Sequence, residues 1–126
     1  MNRMIRWKTL TAIAAAIVIF GAGALFGALN KPASVIHVVT LKWNADATEA
    51  QRAAALKGVE TLASKYAGIK NVWTRSIKAQ GMDTAFVMEF ESEQALKDYA
   101  GSAAQKEWYE VYIPAREMSR TFDITN

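Results

Sequence analysis

Apolar and polar positions follow three rhythms along the chain. Thr9–Asn30, TLTAIAAAIVIFGAGALFGALN, is an uncharged run with no polar face. Val35–Trp43 (VIHVVTLKW) and Thr84–Glu91 (TAFVMEFE) are short apolar stretches whose side chains alternate at a period of two, which predicts strands. Elsewhere apolar residues return at three- and four-residue steps, the spacing of a helix face. Leu56, Val59, Leu62, Ala63 and Tyr66 form one such stripe. Ala95, Leu96 and Tyr99 form a second, and Trp108, Val111 and Tyr112 a third.

Local signals set the boundaries. NKPAS (Asn30–Ser34) is a linker, because Pro32 stops any helix that enters it. Thr48 and Gln51 have the spacing of a capping box and start the first helix, and Gly68 suits the position just past its end. A second strand is expected over about Val72–Lys78, followed by the turn AQGMD. Ser92 caps the next helix, AGSAA interrupts it, and helical spacing resumes until Pro114. Arg116–Ile124 closes the chain as a last strand.

The order βαββαβ predicts an α+β ferredoxin-like sandwich, with four antiparallel strands and both helices on one face. His37, Val39, Leu41 and Trp43 share one side of the first strand; Ile36, Val38, Thr40 and Lys42 share the other. Phe86, Met88 and Phe90 likewise alternate with Ala85, Val87 and Glu89. The bulkier set belongs under the helices. The smaller set, Ile36, Val38, Ala85 and Val87, is left as an apolar patch on the open face, which predicts a homodimer interface.

Charge separates the two parts of the chain. Arg3, Arg6, Lys8 and Lys31 precede the domain, leaving eleven Lys and Arg residues against all twelve Asp and Glu beyond them. The formal net charge of +3 therefore belongs to the N-terminal part, and the domain has no electrostatic footprint for nucleic acid. Residues 1–31 are expected to form one hydrophobic helix, either an uncleaved single-pass anchor of the inner membrane or a signal peptide cleaved after AGA at Ala22–Ala24. In both cases the flanking cations stay inside, and the domain lies on the periplasmic or extracellular side. With no cysteine there is no disulfide and no thiolate metal site.

HVVTLKW, ATEAQ, GIKNVW, DTAFVMEFESEQALKDYA and a final FDI, in that order, resemble the stress-responsive A/B barrel (Dabb) family. The resemblance covers Val35–Ile124 and implies one Dabb domain over residues 35–126. It implies subunits that pair sheet to sheet into a dimeric α/β barrel, each with a pocket between sheet and helices. His37, Val39, Leu41, Phe86, Met88, Tyr99, Gln105 and Trp108 are the expected pocket residues. In family members that act as polyketide cyclases, a strand histidine matching His37 lines the pocket, and a second histidine, in a stretch resembling HPAH, is the acid–base group. Here that stretch is Ser102, Ala103, Ala104 and Gln105, and an amide is no general base.

His37 is the single histidine, so its role is that of a packed imidazole bonded to a neighbour beneath the first helix, of a ligand contact, or, least favoured for a lone histidine, of a catalytic or metal-binding group. Trp43, Phe86, Met88, Phe90 and Trp108 are core residues by type. Glu89 and Glu91 fit a solvated rim rather than a carboxylate pair. No metal site, cofactor motif, phosphate loop or nucleophile elbow is visible. The expected function is a dimeric binding module for a small apolar ligand, linked through the family to stress response. The alternatives are an enzyme of the polyketide cyclase or monooxygenase-like kind, with His37 and Tyr99 in its pocket, and a structural dimer displayed on a membrane.

Overall fold

The computed structural model describes residues 32–126. The hydrophobic segment expected at residues 1–31 lies outside them. Strand β1 (Val35–Trp43) leads through a tight turn to helix α1 (Glu49–Lys65). Strands β2 (Ile69–Trp73) and β3 (Thr84–Phe90) follow, then helices α2 (Glu93–Tyr99) and α3 (Ala103–Ala115), and finally β4 (Arg116–Ile124). The four strands pair antiparallel in the order β2-β3-β1-β4, the ferredoxin-like arrangement. Among the described residues, no helix is long and apolar enough to cross a membrane.

The capping signals act as local chemistry dictates. Thr48 Oγ1 accepts from Gln51 N while Gln51 Oε1 accepts from Thr48 N, a reciprocal capping box. Ser92 and Ser102 cap α2 and α3 by accepting from Ala95 N and Gln105 N. Between those helices Gly101 takes φ of +79°, a left-handed conformation that an L side chain rarely adopts, and this separates the two segments.

Four expectations shift. Strand β2 starts at Ile69 and stops at Trp73, short of Lys78. A bulge between Ile69 and Asn71 breaks its alternation, and past Trp73 the chain turns away, with Ser76 Oγ accepting from Ala85 N in place of a strand neighbour. Gly68 is no left-handed cap: an added Cβ there would lie 2.6 Å from Tyr66 Cε1 and 3.0 Å from Ala95 Cβ, so close packing requires the glycine. Helix α3 runs through Pro114 to Ala115, since a proline in the last turn forfeits only one helical bond. Asn44 secures this end, its Nδ2 donating to Pro114 O and its N to Ala115 O. Val111, placed on the apolar stripe of α3, is exposed.

The core lies between the helices and one sheet face. Leu41, Phe86, Met88 and Phe90 are sealed beneath Val59 and Leu62 of α1, Tyr99 of α2 and Trp108 and Tyr112 of α3. Helices α1 and α3 meet closely at Gly58, where an added Cβ would fall 2.5 Å from Trp108 Cδ1. Trp108 has little room to retreat: its Nε1 donates to Ala55 O at 2.9 Å, and its ring stacks on Tyr112 at 4.3 Å. Alanine in place of a mid-helix glycine gains about 1 kcal/mol of helix propensity, but overpacking a rigid contact costs up to about 3 kcal/mol. Gly58→Ala should therefore destabilise the domain by about 2 kcal/mol in thermal unfolding, the overpacking loss exceeding the propensity gain. An unchanged or raised Tm would show that Trp108 moves aside.

Candidate functional site

A cavity of about 300 Å3 opens between the sheet and the α2–α3 pair. Strand β1 contributes His37 and Val39, β3 contributes Phe86 and Met88, and the helices contribute Tyr99, Gln105, Trp108, Tyr109 and Tyr112. Strand β4 supplies a polar wall of Arg116, Ser119, Thr121 and Asp123. That wall exists because β4 alternates: Ser119, Thr121 and Asp123 pair with Leu41, Val39 and His37 on the helix side, while Met118, Phe122 and Ile124 fall on the other. A more open groove of about 610 Å3 adjoins the cavity, sharing Leu96 and Asp123 with it.

Seven of the eight residues expected in a pocket line this cavity: His37, Val39, Phe86, Met88, Tyr99, Gln105 and Trp108. Leu41 does not; it is fully buried in the core. The polar wall of β4 and the pair Tyr109 and Tyr112 were not anticipated. The alternation within SRTFDI carried the signal for the wall.

His37 is bonded to a neighbour and packed against an aromatic ring, as the first of its expected roles requires. Its Nδ1 donates to Asp123 Oδ1 at 2.5 Å, across the β1–β4 pairing, and its ring meets Phe90 edge-on at 5.8 Å. A donor at Nδ1 leaves the lone pair of the neutral ring on Nε2, free to accept a proton or a hydrogen bond. Asp123 therefore orients the imidazole in the way a carboxylate orients a catalytic histidine.

Tyr99 and Tyr112 are each 3% exposed, and neither hydroxyl has a hydrogen-bond partner among the described residues. Buried hydroxyls are normally satisfied, so two unpartnered phenols on one cavity wall mark a place for a bound molecule or water. Burial pushes the Tyr99 phenol well above the ordinary tyrosine range; the Gln105 amide, near the hydroxyl but outside hydrogen-bond geometry, offsets part of that shift. Tyr99 is thus a hydrogen-bond donor throughout the neutral range and no base. Tyr109 is raised too, by burial, with Arg116 pulling the other way. Gln105 is already engaged: its Oε1 accepts from Gly101 N at 2.6 Å and its Nε2 donates to Tyr109 OH at 3.2 Å. It organises the start of α3 more than it offers itself to a ligand.

Among the described residues, no helix covers the opposite sheet face. Cross-strand register aligns Trp73, Val87, Val38 and Phe122 in one row across all four strands. The next row is Asn71, Glu89, Ile36 and Ile124. Ile36, Val38, Ala85 and Val87 are half-buried there, while Trp73, Phe122 and Ile124 are 51%, 54% and 60% exposed. Glu89 accepts from Asn71 Nδ2 at 2.6 Å, and that bond, with Ser34 and Lys70 adding to it, holds its carboxyl below the usual range. Glu91 is exposed, so the two carboxylates form no pair.

The family model described as the stress responsive A/B barrel domain (Dabb) matches residues 35–126. The chain belongs to the Dabb family. A hydroxynitrile lyase from Passiflora edulis resembles this Dabb protein with a TM-score of 0.65 at 17% identity, over 75% of this chain and 94% of the other. A dimeric protein of unknown function and ferredoxin-like fold from Bacteroides fragilis has a TM-score of 0.60 at 18% identity, over 76% of this chain and 99% of the other. A Dabb family protein with a ferredoxin-like fold from Mesorhizobium loti also has a TM-score of 0.60, at 16% identity, over 74% of this chain and 96% of the other. Identities this low establish a shared fold. No protein with a curated description matches the chain. Among the described residues of the Dabb domain, no group of His, Asp and Glu could hold a metal ion.

Proposed function

We propose that this Dabb protein is a homodimeric small-molecule-binding module of the cell envelope, whose ligand occupies the cavity between the sheet and α2–α3. One observation carries the binding reading: two buried phenols without partners, Tyr99 and Tyr112, line the same cavity as the oriented His37–Asp123 pair. Aromatic walls take up an apolar body, and a few convergent polar groups fix its orientation, as in small-molecule sites generally. Dimerisation sheet to sheet is supported by the apolar row on the open face and by the dimeric Bacteroides relative.

Ligand-observed NMR with neutral aromatic fragments tests the proposal. His37→Ala should weaken any fragment that binds by about tenfold, the worth of a hydrogen bond from an oriented polar group. The variant should stay folded, because the imidazole lies at a cavity wall and Asp123 is half-exposed and can be solvated. Fragments that bind equally well to His37→Ala would remove His37 from the site.

A second reading, an enzyme of the cyclase or monooxygenase-like kind, is favoured by the His37–Asp123 geometry alone. It requires turnover of an activated carbon acid that His37→Ala abolishes and Asp123→Asn reduces. Turnover that survives His37→Ala would sink it.

Placement outside the cytoplasmic membrane rests on the uncharged run Thr9–Asn30 and the cations before it. A reporter that works only outside the cytoplasm should be active when fused after Asn126. Activity from a cytoplasm-only reporter at the same position would overturn export. A mature chain beginning near Leu25 would mark a cleaved signal, and an intact N-terminus in membranes would mark an anchor.

A further inference from the structure

The cavity carries a cation that its known partners leave unused. Arg116 sits at the α3–β4 junction, as the residue that ends the helix and begins the strand. Its guanidinium lies 5.0 Å from the centre of the Tyr112 ring, and Nη1 donates to Ser119 Oγ. The ion pairs of the described residues are His37–Asp123, Lys57–Glu60, Lys65–Glu107 and Lys70–Glu89; Arg116 is in none of them. A guanidinium has five N–H donors arranged as a fork, so most of that fork remains for something else. Beside it stands Tyr112, whose buried hydroxyl also lacks a partner among the described residues. A cation and a buried phenol donor at one end of the cavity, with no carboxylate paired to either among the described residues, describe a complement to an anion.

The layout also sets direction. Asp123, the one acidic residue of the lining, lies on the same strand as Arg116 but toward its far end, about 23 Å away at ~3.3 Å per residue. An anionic group is drawn to the Arg116 end and repelled from the Asp123 end. Between them Phe86, Trp108 and Tyr112 offer aromatic surface, with Phe86 edge-on to both of the stacked rings.

We propose that Arg116 binds a carboxylate, and that the ligand class of this cavity is an aromatic monocarboxylate. Its acid group lies at the α3–β4 junction, and its ring among Phe86, Trp108 and Tyr112. This rests on the binding reading above and adds the chemical class to it. The guanidinium supplies a charge-assisted, two-pronged contact, and the Tyr112 hydroxyl supplies a further donor to the same end of the molecule.

The test compares 2-naphthoate with its neutral isostere 2-naphthamide on the full chain in mild detergent, by calorimetry. Naphthoate should bind wild type about tenfold more tightly than naphthamide, and Arg116→Gln should erase that preference by weakening naphthoate far more than naphthamide. Arg116→Lys, which keeps the charge but loses the fork, should retain part of the preference. Equal affinity of wild type for acid and amide overturns the carboxylate assignment and leaves the cavity standing as a ligand site. A preference that survives Arg116→Gln in a folded protein overturns the role of Arg116. If neither compound binds, both the inference and the binding reading fail. Should Arg116→Gln not fold, the wild-type acid–amide comparison and Arg116→Lys still decide the question.

Discussion

Val38→Asp is expected to turn residues 33–126 from a dimer into a folded monomer. Val38 sits in the middle of the open face, paired with Val87 on one side and Phe122 on the other, in the row that begins with Trp73. Among the described residues, nothing covers this row. The half-exposed side chains of Ile36, Val38, Trp73, Val87, Phe122 and Ile124 each retain roughly half of the 1.5–3 kcal/mol that full burial provides, so two faces together gain about 9–18 kcal/mol. Association opposes that with about 4–15 kcal/mol, which places the wild-type balance on the dimer side but not by much. An aspartate at the centre replaces an apolar gain with a desolvated charge that has no partner, and that reverses the balance. The protomer should survive, because the face is already half open to water and the core lies on the other side of the sheet. Light scattering at micromolar concentration reads the outcome directly. A variant with dimer mass, or a wild type with the mass of one folded chain, would show that the open face is not the interface.

Phe90→Ala should destabilise the domain by about 3–5 kcal/mol. Phe90 is fully buried at the end of β3 and meets three aromatic neighbours, Tyr99 at 5.1 Å, His37 at 5.8 Å and Tyr66 at 6.3 Å. Those neighbours cannot collapse into the space it leaves. Tyr66 is tied by its hydroxyl to Ala95 O at 2.7 Å, and His37 is tied to Asp123. The void would therefore persist, adding a cavity penalty to the lost burial. For a domain of this size the loss corresponds to a fall in Tm of roughly 15–30 °C. Because Phe90 props both His37 and Tyr99, ligand affinity should fall along with stability, whereas His37→Ala should affect affinity alone. Urea unfolding checks the figure, and a loss below about 1 kcal/mol would mean that the packing around Phe90 relaxes.

Strand and helix identities were legible in the sequence where their causes are local. Val35–Trp43 and Arg116–Ile124 are strands at the expected bounds, and Thr48, Ser92 and Ser102 cap helices. Alternation acts over two residues and capping over three, so a short window contains the whole cause. Strand β2 was misplaced because a bulge between Ile69 and Asn71 erases its alternation, and only pairing with β3 reveals it. Gly58 carried no local signal at all; its need arises from Trp108, on another helix.

The sequence by itself determined the order of elements, the two faces of β1 and β3, and the pocket candidates that point toward the helices. Tertiary structure alone decided that His37 meets Asp123, that the Tyr99 and Tyr112 hydroxyls are left without partners among the described residues, and that Arg116 stands beside Tyr112 without an ion pair. It also decided that Trp73 and Phe122 complete the row begun by Val38 and Val87. Each of these depends on the register between strands or on the packing of a helix over the sheet. Such contacts join residues as far apart as His37 and Asp123, 86 positions along the chain, and no periodicity within one segment encodes which distant residue will lie opposite.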